Sequence, residues 1–179
     1  TIIRASKVTE KQNIYVVLGE DQKFDIERHL EEISFEDCVK VLTEPCGKNT
    51  APAILLGTLE ILKKDKDAVI YVFPADHVIK ESEEFYKCMN SANSLALRGN
   101  IVTFGIKPYK PDTGYGYIKG GTDIDYGALG IKRFVEKPDI KKAIEYLDSG
   151  NFFWNSGMFA FKGSIIVEEF KKHAPEIYE

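Results

Sequence analysis

Short apolar runs of strand length alternate with charged segments of helical period along this chain. That alternation restricts the fold more than any other feature. The run IYVVLG (Ile14 to Gly19) is followed by DQKFDIERHLEEI, where Phe24, Ile26, Leu30 and Ile33 recur at roughly helical spacing between charges. CVKVLTEP leads into TAPAILLGTLEILKK, AVIYVFPADHVI leads into SEEFYKCMNSANSLALR, and the run IVTFGI follows. Strands alternating with helices predict right-handed βαβ units and an α/β fold with a mostly parallel, mixed sheet flanked by helices.

After Ile106 the pattern changes. KPYKPDTGYGYIKGG is rich in glycine, proline and tyrosine, and ALGIKRFVEKP then reads as a strand. DIKKAIEYLDSG reads as a short amphipathic helix stopped by Gly150. FWNSGMFAF is a further strand, and SIIVEEFKKHAP a last helix capped by Ser164 and ended before Pro175. There is no internal repeat, low-complexity segment or linker, so residues 1–179 are expected to form one domain. The chain opens at Thr1 rather than at a methionine, and an upstream segment is expected.

The composition narrows the class of function. The formal net charge of −4 comes from interspersed signs without a basic block, which argues against a nucleic-acid surface. No apolar run approaches the roughly 20 residues of a membrane-spanning helix. Cys38, Cys46 and Cys88 form an odd count without CxxC spacing, which suits a reducing cytoplasm. The three histidines are scattered and offer no metal cluster.

In open α/β sheets, ligands bind beyond the carboxyl ends of the strands. Asp76 follows the run AVIYVF and Pro74, where a carboxylate suits Mg²⁺, an ion that usually needs only one or two protein carboxylates. A turn aspartate is the plain alternative, and His77 beside it reads as structural. Glu136 and Lys137 close the strand IKRFVEKP. A Glu accepts from sugar hydroxyls and a Lys neutralises phosphate, although an exposed ion pair before a helix accounts for both. In DTGYGYI, Gly114 and Gly116 flank Tyr115, which fits close approach of a ligand to the backbone or a glycine hairpin. The Asn155-Ser156-Gly157 break after Trp154 suggests a bulge or a ligand at the backbone. In EPCGKNTAPAI, Gly47 permits a turn, Asn49 or Thr50 can cap a helix, and Pro52 is tolerated in its first turn. Lys48 and Asn49 then stand at a helix N-terminus, which favours anions; a well-capped loop explains the same residues.

Taken in order, EPCGKNTAPAI, FPADHVI, GIKPYKPDTGYGYI, FVEKP and NFFWNSGMFAF resemble the sugar nucleotidyltransferases. The match is to the mannose-1-phosphate guanylyltransferase (GDP-mannose pyrophosphorylase) family, including the bifunctional form fused to mannose-6-phosphate isomerase. It spans about residues 44 to 161, and NTAPAI is its discriminating piece. The resemblance implies a Rossmann-like, GT-A-like nucleotide-diphospho-sugar transferase fold. It also implies the reaction of GTP with α-D-mannose 1-phosphate to give GDP-mannose and pyrophosphate, with Mg²⁺ as cofactor. Carried over residue by residue, Asp76 is implied as the metal-binding and catalytic aspartate, with Lys137 also catalytic. Gly114, Tyr115, Gly116, Glu136, Lys137 and Asn155 are implied as sugar-phosphate contacts. Lys48, Asn49, Thr50, Ala51 and Pro74 fall on the nucleotide side.

Two parts of the family pattern are not read in these residues. They are the glycine-rich signature with its arginine and lysine ahead of the first strand–helix unit, and a second metal-binding carboxylate further along. The expectation is therefore a catalytic-domain fragment, incomplete at both ends, that does not turn over alone. A sister glucose-1-phosphate nucleotidyltransferase and a non-catalytic sugar-nucleotide-binding homologue are the alternatives. A glycosyltransferase of similar architecture would more naturally carry a D-x-D motif after the central strand. Oligomeric state stays open, a homo-oligomer included.

Overall fold

Val16 to Leu18 and Val41 to Thr43 lie side by side in parallel, as β-branched runs joined by a helical crossover should. A computed structural model describes residues 1–79 and 82–179. Along the chain these form α1 (Ile2–Ala5), β1 (Tyr15–Gly19), α2 (Lys23–Glu32), β2 (Lys40–Glu44), α3 (Thr50–Leu62) and β3 (Val69–Val72). Next come α4 (Glu83–Leu97), β4 (Val102–Ile106), β5 (Tyr117–Asp123), β6 (Leu129–Val135) and α5 (Ile140–Ser149). The chain continues with β7 (Phe152–Lys162), α6 (Gly163–His173) and α7 (Pro175–Tyr178). No described helix is long and apolar enough to cross a membrane.

Backbone packing divides the chain into two compact units: Thr1–Ile70 with Ala75–Glu81 and Lys162–Glu179, and Tyr71–Pro74 with Ser82–Phe161. In the first, β1 and β2 pair from Tyr15↔Lys40 to Gly19↔Glu44. Helix α3 packs on β1, with Gly57 set against Val17, and also against α6. Leu18, Leu30, Leu55 and Val167 are buried there, and removing such side chains from water is what stabilises the unit.

The second unit holds most of a five-stranded sheet in the order β3-β7-β5-β6, with β4 also paired to β7. Its core is aromatic: Tyr117, Tyr146, Phe152 and Trp154 surround Ala143, with Val135 against them. The rings of Tyr146 and Phe152 stack at 4.0 Å. Helix α5 delivers Ala143 and Tyr146 because its apolar residues recur on one face. Asp139 caps it by accepting from the Lys142 N–H at 2.9 Å, and Gly150 ends it.

The α/β character and the mixed sheet match the expectation, but the pairing is less parallel than the alternation suggested. The β4–β7, β5–β6 and β5–β7 pairs are all antiparallel. For β5 and β6 the short link between them dictates this, since a parallel partner needs a crossover of a dozen residues or more. Two local expectations also change. Ser164 lies inside α6 rather than at its cap, which is Lys162 without a side-chain capping bond. Phe24, counted in the apolar stripe of α2, stands 76% exposed.

Candidate functional site

Gly116 is the residue around which the second unit's polar groups gather. A Cβ placed on it would lie 3.0 Å from Glu136 Oε2 and 3.3 Å from the Phe134 ring. A Cβ there would be tight against both, so glycine gives that carboxylate and that ring room to lie across the backbone. The Gly116 carbonyl accepts from the Asn155 N–H at 2.7 Å. Gly116, Glu136 and Asn155, far apart in sequence, are thus joined at one place.

The Asn155 amide has a fixed orientation. Its Oδ1 faces the Gly157 N–H at 3.2 Å, so the oxygen rather than the nitrogen must stand there. The Thr103 hydroxyl lies 3.1 Å from the same Oδ1 and 3.1 Å from the Met158 carbonyl, and its one proton serves one of them at a time. Among the described residues no hydrogen bond is made by Asn155 Nδ2, which leaves two N–H donors for a ligand. The break in β7 is a bulge: Thr103 pairs with Phe159 but Gly105 with Asn155. Gly157 turns it with φ +70°, bringing its backbone against Pro74, 3.1 Å from a virtual Cβ.

The loop ahead of β5 is tied down by its own side chains. Asp112 Oδ1 accepts from the Gly114 N–H at 2.9 Å, its Oδ2 pairs with Lys110 Nζ at 3.0 Å, and its N–H donates to the Tyr117 hydroxyl. Tyr115, between the two glycines, stacks on Trp154 at 5.0 Å, and Tyr109 meets the same indole edge-on at 5.1 Å. The Gly114 N–H bond, and next the Lys110 ammonium, hold the Asp112 carboxyl below its usual pKa, and Asp112 raises that of Lys110. A depressed carboxyl pKa contributes order above the unfolded value and loses it as pH falls through the folded one. A raised lysine pKa contributes below its unfolded value and loses it as pH rises through the folded one. The turn is therefore intact between these limits. The Gly114 amide resonance is expected to titrate with a midpoint below that of an ordinary aspartate. A midpoint at the ordinary value would remove Asp112 from the turn.

Glu136 and Lys137 follow β6. Lys137 adopts φ +37°, unusual for a residue with a side chain, so the strand's alternation breaks there. Its Nζ stands 3.8 Å from Glu136 Oε1, with both side chains mostly exposed. Such a pair contributes little to stability.

The remaining candidates belong to the first unit, apart from Pro74. Lys48, Asn49 and Thr50 are exposed and Ala51 partly so. Asn49 occupies the cap of α3 with φ 68° and ψ −166°, a region almost reserved for glycine, and its side chain makes no capping bond. Helix capping therefore does not use the amide, which is left for other work. Thr50 lies inside the helix. Asp76, just past β3, has a side chain 87% exposed, with His77 Nε2 3.8 Å from Oδ1. Among the described residues, no three His, Cys, Asp or Glu side chains group to hold a metal. A lone solvated carboxylate suits an ion that keeps most of its waters and takes the rest of its ligands from phosphates.

The sequence profile described as Nucleotidyl transferase matches residues 2–179. The chain belongs to the nucleotidyl transferase family. It is 42% identical over 166 residues to "Alginate biosynthesis protein AlgA" of Pseudomonas fluorescens, covering 92% of this chain and 34% of that protein. It is 40% identical over 185 residues to "Mannose-1-phosphate guanylyltransferase" of Salmonella montevideo, covering 100% of this chain and 38% of that protein. A crystal structure described as mannose-1-phosphate geranyltransferase from Thermus thermophilus superposes with a TM-score of 0.87 at 31% identity. It covers 99% of this chain and 50% of that one. This nucleotidyl transferase chain thus spans little more than a third of the curated relatives' length.

Within this family member the geometry joins Gly116, Glu136 and Asn155 directly, with Gly114, Tyr115 and Lys137 beside them in sequence. Lys48 to Ala51 and Asp76 are described in the other unit. Sequence reading passed over Thr103, Phe134 and Tyr117. Thr103 and Tyr117 carry no local signal, since their roles come from cross-strand pairing. Phe134 had one: an aromatic two residues before Glu136 shares its strand face.

Proposed function

We propose that this chain carries the sugar-phosphate side and one metal-binding carboxylate of an enzyme that joins GTP to α-D-mannose 1-phosphate, releasing pyrophosphate and GDP-mannose. The observation that carries this reading is the 40% identity, across the whole chain, to the Salmonella montevideo guanylyltransferase. The meeting of Gly116, Glu136 and Asn155 supports it chemically. A carboxylate that accepts, an amide that donates and a bare backbone are what a polyhydroxylated ring requires. The compartment this reading assigns is the cytoplasm, where Cys38, Cys46 and Cys88 remain free thiols.

The mechanism asks little covalent help of the protein. A sugar phosphate is already anionic at neutral pH and pyrophosphate leaves readily, so catalysis rests on in-line positioning and charge neutralisation. Glu136 and Asn155 orient the sugar by its hydroxyls, and the Gly114 to Gly116 backbone lets it approach closely. Lys137, held at the end of β6 in a left-handed conformation, presents its ammonium to the nucleophilic phosphate. Asn49, whose amide the helix leaves unused, reads the base edge beside Lys48, Thr50 and Ala51, with Pro74 also on the nucleotide side. Asp76 would hold Mg²⁺. When bound, that ion neutralises charge on the reacting phosphates.

The test is pyrophosphate release by the full-length protein with each nucleoside triphosphate against mannose and glucose 1-phosphates. GTP with mannose 1-phosphate is expected to be the preferred pair; preference for glucose 1-phosphate would reassign the sugar. In the same assay Glu136→Gln is expected to raise KM for mannose 1-phosphate by about tenfold or more, because the weakened acceptor leaves sugar hydroxyls poorly paired. KM for GTP should hold, and an equal rise in both would point to a misfolded variant instead.

A further inference from the structure

Phe134 stands beside the polar groups of the sugar-phosphate side. Phe134 is 46% exposed, whereas Ile118, opposite it on β5, is buried. An exposed aromatic on a strand is by itself unremarkable, because much of any protein surface is apolar. What sets Phe134 apart is its neighbours. Its Cε1 and Cζ lie 3.3 Å from the point a Gly116 Cβ would occupy, and Glu136 Oε2 lies 3.0 Å from that same point. Phe134 lies in β6 and Glu136 directly follows it, and ring and carboxylate both close on that one point. Gly116, just ahead of β5, leaves the point between ring and carboxylate free of a side chain.

We infer that Phe134 forms the apolar wall of the sugar-phosphate site and is a determinant of sugar recognition. A pyranose is amphipathic: its hydroxyls ring the edge, and its axial C–H bonds give an apolar face. A site that selects a sugar rather than a bare phosphate must meet both. Glu136 and Asn155 supply the polar half. The exposed Phe134 ring supplies the other, and an aromatic face is suited to it because it is broad, rigid and apolar. Inorganic phosphate has no C–H face, so the ring adds nothing to its binding. This inference rests on the sugar-phosphate reading given under Proposed function.

The experiment is titration calorimetry on the full-length protein with mannose 1-phosphate and, separately, inorganic phosphate. Phe134→Ala is expected to weaken mannose 1-phosphate about tenfold and to leave inorganic phosphate within about twofold. Phe134→Tyr keeps the ring and is expected to stay within about threefold of the unmutated protein for both. Three results would overturn the inference: undiminished mannose 1-phosphate affinity in Phe134→Ala, an equal loss for both ligands, or a Tyr variant as weak as the Ala variant. Failure of the underlying reading would look different. The unmutated protein would bind GTP but no mannose 1-phosphate, and the inference would fall with it before any variant was made.

Discussion

If Asp76 holds Mg²⁺ as proposed, Asp76→Asn is expected to lower kcat by about 10²–10³-fold, the effect of removing one electrostatic stabiliser from a reaction that runs on charge neutralisation. The amide keeps the size of the carboxylate and one acceptor oxygen, so only the charge is lost. That charge does nothing for the fold. The Asp76 side chain is 87% exposed, and its described ion-pair partner is His77 at 3.8 Å. Surface substitutions of this kind usually stay within about ±0.5 kcal/mol. The full-length protein should therefore melt where the unmutated one does, while its magnesium activation curve moves to higher concentration and its plateau falls. Unchanged turnover would remove Asp76 from the mechanism. A lowered melting temperature would show that the aspartate is a structural turn residue, the alternative its position also allows.

Much of the fold was legible because its signals are local. The β-branched runs became β1, β2 and β3, and the Asp139 to Gly150 signature became α5. Strand β5 was hidden, since Gly120 and Gly121 give it no period-two pattern to read. Its partners explain those glycines: a Cβ on Gly121 would meet the Gly130 carbonyl at 2.6 Å. The antiparallel pairing was equally out of reach, because it depends on which strands become neighbours rather than on any one strand's composition. The candidate site divides the same way. Glu136, Asn155 and the two glycines around Tyr115 stand out as residue types, but their meeting at Gly116 is a product of β5–β6 and β5–β7 pairing. The positive φ of Lys137 had no sequence signal, and that of Asn49 only the weak one that asparagine tolerates such backbone better than most residues.

Trp154→Ala is expected to destabilise the protein by about 3–5 kcal/mol, the range for truncating a buried large aromatic. The indole is 4% exposed in the second unit's core and carries Tyr115 on its face and Tyr109 at its edge. Losing it removes the surface that holds Tyr115 between Gly114 and Gly116, so sugar-phosphate binding should weaken along with the fold. Trp154→Phe separates the two halves of the side chain. The buried Nε1–H has no hydrogen-bond partner among the described residues, and such an orphan donor costs about 1–3 kcal/mol. Phenylalanine deletes that donor and leaves a smaller cavity than alanine does, so the net loss should be only about 1–2 kcal/mol. Trp154 is the only tryptophan, so both variants lose the tryptophan fluorescence signal and unfolding is followed by circular dichroism in denaturant. If the Phe variant proved as unstable as the Ala variant, the indole N–H would have to be bonded in solution, and the aromatic packing could not be what holds this part of the site.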